Sequence, residues 1–432
     1  MLAQSTGSRK IVRLVIAVAG LLVCLWGIWT AGSAGLSRLL SRYALITTAS
    51  NAPLLSPADE AVRLAPADPE AHFSRAVVMW NLGRTTEAAE EYERATALRP
   101  RDYYLWLMLG TSRDQLDDEA GALAALTESV RMSPYYAQPR WQFGNVLFRA
   151  GKLGEGFGEM RRAALSRQIF LPNLIDLAWN ASGKDPVVTE QLIQPETKQW
   201  RMALARFFAR HGQVAQSLNL YRAAGTVTAE ERRALTGELL AAKGYAEAYE
   251  VWATGEAQSK EGRRAGETTR ITDGGFEKQL SFDETGFGWQ LTRTPNTLQI
   301  SLDTVEPREG AHSLRLDWNG NQPPNAPFAS QLLLVEPNAR YRLSFAARSQ
   351  DIVSGGLPLI VVTDRSGSTP SVLAQSKSLP KGSSGWQDYS LEFATTGETR
   401  AVLIALQREG CTADPCPIFG RLWLDDFSIS KL

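Results

Sequence analysis

The chain is poor in the residues from which catalytic and metal sites are made. Its 432 residues include three cysteines and three histidines. His72 falls on a predicted repeat helix, His211 at a turn and His312 at a strand start, so each reads as structural or solvated. There is no G-x-S-x-G, no H-E-x-x-H, no phosphate-binding glycine loop and no Cys/His nucleophile arrangement. Paired acids occur at Asp117-Asp118 and Asp425-Asp426, but a glycosidase pair must face across a cleft. The sequence therefore predicts a protein that is not an enzyme, with a glycan-processing enzyme as a weak alternative.

Acids are missing from one region altogether. Residues 1–50 contain Arg9, Lys10, Arg13, Arg38 and Arg42 and no Asp or Glu, so the remaining 382 residues carry a net charge of −5. No clustered basic surface follows, and nucleic acid is excluded as a partner. Between Leu14 and Ser37 there is no charge of either sign. About 20 apolar helical residues cross a hydrocarbon core of about 30 Å. The expected layout is a cytoplasmic tail at 1–13 and a transmembrane signal anchor at 14–35. Arg9, Lys10 and Arg13 would hold the tail inside, leaving the bulk of the chain outside the cytoplasmic membrane. A cleaved signal peptide is the rival reading, since Ala31, Gly32, Ser33 and Ala34 offer small residues.

Cys24 lies inside the apolar run. Cys411 and Cys416 are five apart in C-T-A-D-P-C, without a second ligand pair. In an oxidising compartment this spacing predicts a disulfide closing a small loop.

What the chain does have is a period. Pro66, Pro100 and Pro134 lie 34 residues apart, each closing an Ala/Leu-rich stretch. Trp106, Leu109 and Gly110 have the spacing W-x2-L-G, and the preceding unit has Ala76, Gly83, Ala88, Tyr92 and Ala95. A third copy carries Gly144, Gly151 and Ala163, with Gln168 where the proline would stand. These units resemble the tetratricopeptide (TPR) repeat over 68–168 and, in degenerate form, over 169–255. The expected array spans 36–255, its first helix continuing the membrane segment. Helix hairpins are predicted at 200–224 and 232–254, turning at His211-Gly212 and Lys243-Gly244. The resemblance implies a partner-binding groove lined by first helices. Its positions fall on Trp80 and Asn81; on Tyr104, Thr111, Asp114 and Gln115; and on Trp141, Asn145, Phe148 and Arg149. The same aromatics also suit core packing between repeats. The groove lacks the lysines of a family-type carboxylate clamp.

Residues 256–270 are polar and aperiodic and predict a linker. Beyond it, alternating runs at 312–318, 341–347, 357–362, 386–393, 401–407 and 422–429 are separated by turn signals and predict a β-sandwich over 271–432. The ordered blocks D-G-G-F-E (273–277), G-W (288–289), G-A-H-S-L-R-L (310–316), Y-R-L-S-F-A-A-R (341–348), G-W-Q-D-Y (385–389) and L-W-L-D-D-F (422–427) resemble a carbohydrate-binding-module jelly roll. That resemblance implies a structural calcium held by Glu277 with Asp425 or Asp426. It also implies a sugar face, for which Trp289, Trp318, Gln331, Arg342, Arg348 and Gln407 are candidates. Trp386 and Trp423 are expected to be buried, since they alternate with other core residues. Such modules also serve as packing units.

The expected protein is thus multidomain: a transmembrane helix, an all-α TPR-like solenoid and an all-β jelly-roll sandwich. Its expected role is a non-enzymatic scaffold of the bacterial envelope. It would bind an envelope protein through the solenoid and a polysaccharide through the sandwich, assisting surface-polysaccharide assembly or export. The alternative is a pure protein–protein adaptor.

Overall fold

One helix, α1 (Ser5–Ala49), runs through the uncharged stretch without a break at either expected boundary. It is long and apolar enough to cross a membrane by length and composition. Its last turns have a second job. Ser37, Ser41, Ala44 and Thr48 are buried and recur every three to four residues, so they form one face. That face packs on α2 (Leu55–Leu64) and α3 (Pro69–Asn81), and Ser37 Oγ donates to the Ala61 carbonyl at 2.8 Å. The end of α1 is therefore the first helix of the unit that closes at Pro66. The computed structural model describes residues 5–256, 269–293, 296–411 and 415–432.

Three helix pairs follow with the expected period: α3 with α4 (Thr85–Leu98), α5 (Tyr103–Gln115) with α6 (Glu119–Met132), and α7 (Ala137–Arg149) with α8 (Leu153–Ser166). Asp68 and Asp102 start α3 and α5 by accepting the N–H groups of Glu70 and Tyr104, which would otherwise be orphaned. Small residues then set how closely each pair approaches, at Ala76/Ala88, Gly110/Ala122 and Gly144/Gly156. A Cβ on Gly110 would meet Leu126 Cγ at 2.6 Å, and one on Gly144 would meet the Gly156 carbonyl at 2.8 Å.

The prolines have a partner that their spacing alone does not reveal. Six residues after each, a side chain of the next first helix reaches back to the proline carbonyl. His72 Nε2 lies 2.9 Å from Pro66 O, Trp106 Nε1 2.9 Å from Pro100 O, and Arg140 Nε 2.6 Å from Pro134 O. At 168–170 a short 3-10 turn stands in place of the proline, and α9 (Leu171–Ala181) and α10 (Pro186–Ile193) are shorter. The device returns at Pro195, whose carbonyl accepts from Arg201 Nε at 3.0 Å.

Two compact units divide the chain at Gln194/Pro195. This differs from the division at 256–270 drawn from composition. Residues 257–268 of the expected linker lie outside the described residues. The helices α11 (Lys198–Arg210), α12 (Val214–Ala224), α13 (Ala229–Ala241) and α14 (Tyr245–Glu256) stand where the apolar spacing places them, but they share a unit with the sandwich. Tyr245 Oη donates to Arg365 O, Lys243 Nζ to Ser366 O, and Trp252 Nε1 to Glu284 Oε1. Tyr249 meets Phe287 edge-on at 5.0 Å.

Among the described residues the sandwich has two five-stranded antiparallel sheets. The first is ordered β1 (Gln290–Leu291), β4 (Ala329–Leu334), β9 (Ala401–Arg408), β6 (Pro358–Asp364), β7 (Ser371–Gln375). The second is ordered β2 (Leu298–Asp303), β3 (Ser313–Asn321), β10 (Pro417–Lys431), β5 (Arg340–Ser354), β8 (Gly382–Ala394). Alternation along β5 buries Tyr341, Leu343, Phe345 and Ala347 between the sheets, beside Leu314, Leu316, Leu422 and Leu424.

Candidate functional site: the first-helix face and the outward sheet

The predicted groove residues lie on α3, α5 and α7, the first helix of each pair. They are half-buried or exposed. Tyr104 keeps 40% of its surface and meets Phe73 at 5.9 Å. Trp141 stacks on Phe170 at 4.9 Å, and Phe148 meets Phe157 edge-on at 5.8 Å. Trp80 packs partly against the cluster of Ala76, Tyr92 and Leu109. Arg149 pairs with Asp114, tying α7 to α5, while Asn81 Nδ2 donates to the Val77 carbonyl and Thr111 Oγ1 to Leu107. Gln115 is exposed and Asn145 half-buried.

The period also locates residues that were missed. The end of α1 is itself a first helix, and its equivalent positions hold Leu36, Leu39, Tyr43 and Ile46, which are 48, 65, 51 and 64% exposed. They recur every three to four residues and form one apolar stripe. The signal was present in the 34-residue period, but the membrane segment next to it masked the stripe.

The sandwich overturns the expected sugar platform. Trp289 and Trp318 are core residues, 9 and 3% exposed. Trp289 Nε1 donates to Asp273 O at 2.9 Å. Gln331 is fully buried; its amide donates to Thr272 O and accepts from Thr272 N, both at 2.8 Å. Gln407 lies on β9 of the first sheet, whereas Arg342 and Arg348 lie on β5 of the second, so the six candidates do not converge.

Trp423 is buried as expected, but for another reason. Its neighbours Leu422 and Leu424 face the core, so Trp423 faces outward, level with Arg348 and Arg315. The Arg348 guanidinium lies 4.8 Å above the ring and that of Arg315 5.6 Å away. The indole donates to Asp303 Oδ2 at 2.8 Å. Burial works to raise the Asp303 carboxyl, but Trp423, the Val305 N–H and Arg315 together hold it below its ordinary value. Residues 305–310 fold onto this face: Glu306 pairs with Arg348, and its carbonyl accepts from Trp386, which is only half-buried. Arg342 is engaged by Glu392 at 2.7 Å.

The acids expected to hold calcium are taken up by N–H groups instead. Glu277 Oε1 accepts from Ala311 N and His312 N. Asp425 is buried; Oδ2 accepts from Arg308 N and Glu309 N, and Oδ1 from Asp426 N. Burial raises the Asp425 carboxyl above its ordinary value, against the pull of those donors. Asp426 is exposed. Among the described residues no three His, Cys, Asp or Glu side chains converge.

The helical period, the proline–carbonyl contacts and the small-residue crossings belong together with one comparison. The tetratricopeptide repeat model matches residues 58–103 and 80–137. Residues 58–137 are tetratricopeptide repeats. Among solved structures, MamA 41-end from Desulfovibrio magneticus RS-1 is 18% identical, with 44% of this chain and 93% of that one covered and a TM-score of 0.30. YrrB, a TPR protein with an unusual peptide-binding site, is 20% identical over 42% of this chain and 85% of that one, with a TM-score of 0.30. A CBM4 structure is 11% identical over 38% of this chain and 99% of its own, with a TM-score of 0.29. Scores this low transfer no property to this chain. No curated protein matches it in sequence.

Proposed function

We propose that this protein is a membrane-tethered, non-enzymatic scaffold whose TPR face captures a protein partner. The observation that carries this is the exposed stripe of Leu36, Leu39, Tyr43 and Ile46, in register with the half-exposed Trp80, Tyr104, Trp141 and Phe148. TPR repeats present such a face to polypeptides, and an apolar stripe on a helix that also packs on its other side suits an amphipathic helix or extended segment.

The finer reading places the tether in the cytoplasmic membrane with the bulk of the chain outside. There it assists surface-polysaccharide assembly or export. The length of α1 and the acid-free first 50 residues support the tether. The ordered blocks of the sandwich and half-exposed Trp386 beside Arg348 support a glycan contact on the second sheet.

Photo-crosslinking in the source cell tests the partner. A photoreactive residue at Tyr43, Trp80 or Phe148 should trap one common protein, and the same group at Glu90 or Ala124 on the second helices should not. Equal trapping at both sets removes the proposed face. A glycan array probed with the full chain tests the sugar, and no ligand on it would leave the adaptor reading alone.

A further inference from the structure

Arg408, at the end of β9, is the largest fully buried side chain among the described residues, at 1% exposure. Among the described residues no carboxylate pairs with it. Its Nη1 donates to Gln322 O at 3.1 Å and Cys416 O at 2.7 Å; its Nη2 donates to Ser354 Oγ at 2.8 Å; Nε has no partner. These acceptors are all neutral. A cation taken out of water costs several kcal/mol unless an anion or a full set of hydrogen bonds replaces the water.

The groups next to Arg408 that can become anionic are two sulfurs. Cys411 and Cys416 are joined as a disulfide with Cα atoms 5.9 Å apart. Arg408 Nη2 lies 2.6 Å from Cys416 Sγ and 3.3 Å from Cys411 Sγ. The two cysteines differ in access. Cys416 is buried and its N–H is held by Asn321 Oδ1 at 3.0 Å, whereas Cys411 is half-buried. Gly355 and Gly356 leave room beside the Cys411 sulfur, since a Cβ on either would sit 3.3 Å from it. The acid next in sequence, Glu409, is turned to Ser378 Oγ.

The geometry points to Cys411–Cys416 as a site of thiol–disulfide exchange with a protein dithiol, in which Cys416 leaves as a thiolate held by Arg408. The partner's thiolate attacks Cys411 Sγ. The S–S bond breaks, its electron pair goes to Cys416 Sγ, and a mixed disulfide joins Cys411 to the partner. The partner's second thiol loses its proton and attacks its own disulfide sulfur, and Cys411 leaves and takes up a proton. The partner dithiol is oxidised to a disulfide, and this chain is reduced by two electrons. A cation beside the leaving sulfur lowers its thiol pKa and speeds the break.

The test uses the full chain in detergent with dithiothreitol as the dithiol. Thiolate absorbance of the reduced protein, compared with Cys416→Ser, should show Cys416 titrating at least ~1 pH unit below the free-cysteine value of about 8.5. Arg408→Met should slow reduction at least ~10-fold, and Arg408→Lys should keep most of the rate. A single reaction with glutathione should place the mixed disulfide on Cys411. Titration of Cys416 at or above about 8.5 overturns the proposal, as does an unchanged rate in Arg408→Met. If Arg408→Met does not fold, the titration of the unaltered protein decides.

Discussion

His72 and Glu91 face each other across the α3–α4 pair, with Nδ1 2.7 Å from Oε2 and both side chains buried. Because the other ring nitrogen reaches Pro66 O, the imidazole has an acceptor at each end and is suited to its doubly protonated form. Arg75 and Arg94 also pair with Glu91. The relationship repeats 19 residues apart in the third unit as Arg140 and Glu159, while in the second unit the same two positions hold Trp106 and Ala125. A cation–carboxylate pair and a large–small apolar pair thus serve one place in the repeat.

The pair should make stability depend on pH from both sides. Burial works to raise the Glu91 carboxyl, but the hydrogen bonds from His72 and Arg75 hold it at about 2, against an ordinary 4.5. Its contribution is present above the ordinary value and is lost as pH falls toward about 2. His72 is raised above its ordinary 6.5 mainly by the hydrogen bond to Glu91, so its contribution is present below 6.5 and is lost as pH rises through the folded value. Glu91→Ala leaves a buried cation unpaired and should cost about 3 kcal/mol. Hydrogen exchange of α3 and α4 across pH checks both. A flat profile would sink the assignment.

Gly144 and Gly156 should behave as contact residues, unlike Gly154 in the same helix. Gly144→Val drives its Cβ to 2.6 Å from Met160 Cγ and should cost about 2–3 kcal/mol. Gly154 has nothing within 4 Å of an added Cβ, so Gly154→Ala should stabilise α8 by about 0.5–1 kcal/mol. Urea midpoints compare the two. Equal effects would show that the crossing is looser than described.

Helix α14 should be part of the sandwich's stability. A Cβ on Gly286 would lie 2.1 Å from Trp252 Cδ1, so the indole rests on bare backbone there. Trp252→Ala should destabilise the unit by about 2–3 kcal/mol, and the fragment 195–432 should melt above the fragment 269–432. Coincident melting curves for the two fragments would show that the helices add nothing.

Calcium should not matter to the sandwich. Because Glu277 and Asp425 already accept five backbone N–H groups between them, EDTA should leave the melting temperature unchanged. A calcium-dependent rise of several degrees would restore the metal site.

Local pattern was enough to place most of the elements. The period of 34 located the helix pairs, because one crossing of small residues and one proline turn must recur in each unit. Alternation at Tyr341–Ala347 identified the core face of β5, because side chains in a strand change sides at every residue. The site residues were less legible. Trp289 and Trp318 carry the same local signal as an exposed platform, but Trp318 is in the core on β3 and Trp289, just before β1, packs on Phe276 and Phe427. Trp423 was expected inside for its neighbours' sake. It lies on the outer face, under Arg348 and Arg315 and bonded to Asp303, all distant in sequence. Composition marks 256–270 as a boundary; the compact units divide at 194/195, and Lys243, Tyr245 and Trp252 reach loops of the sandwich that are distant in sequence. Periodicity along a chain reports which side chains share a face. What that face meets depends on segments brought beside it by folding, and for Cys416 that partner is Arg408.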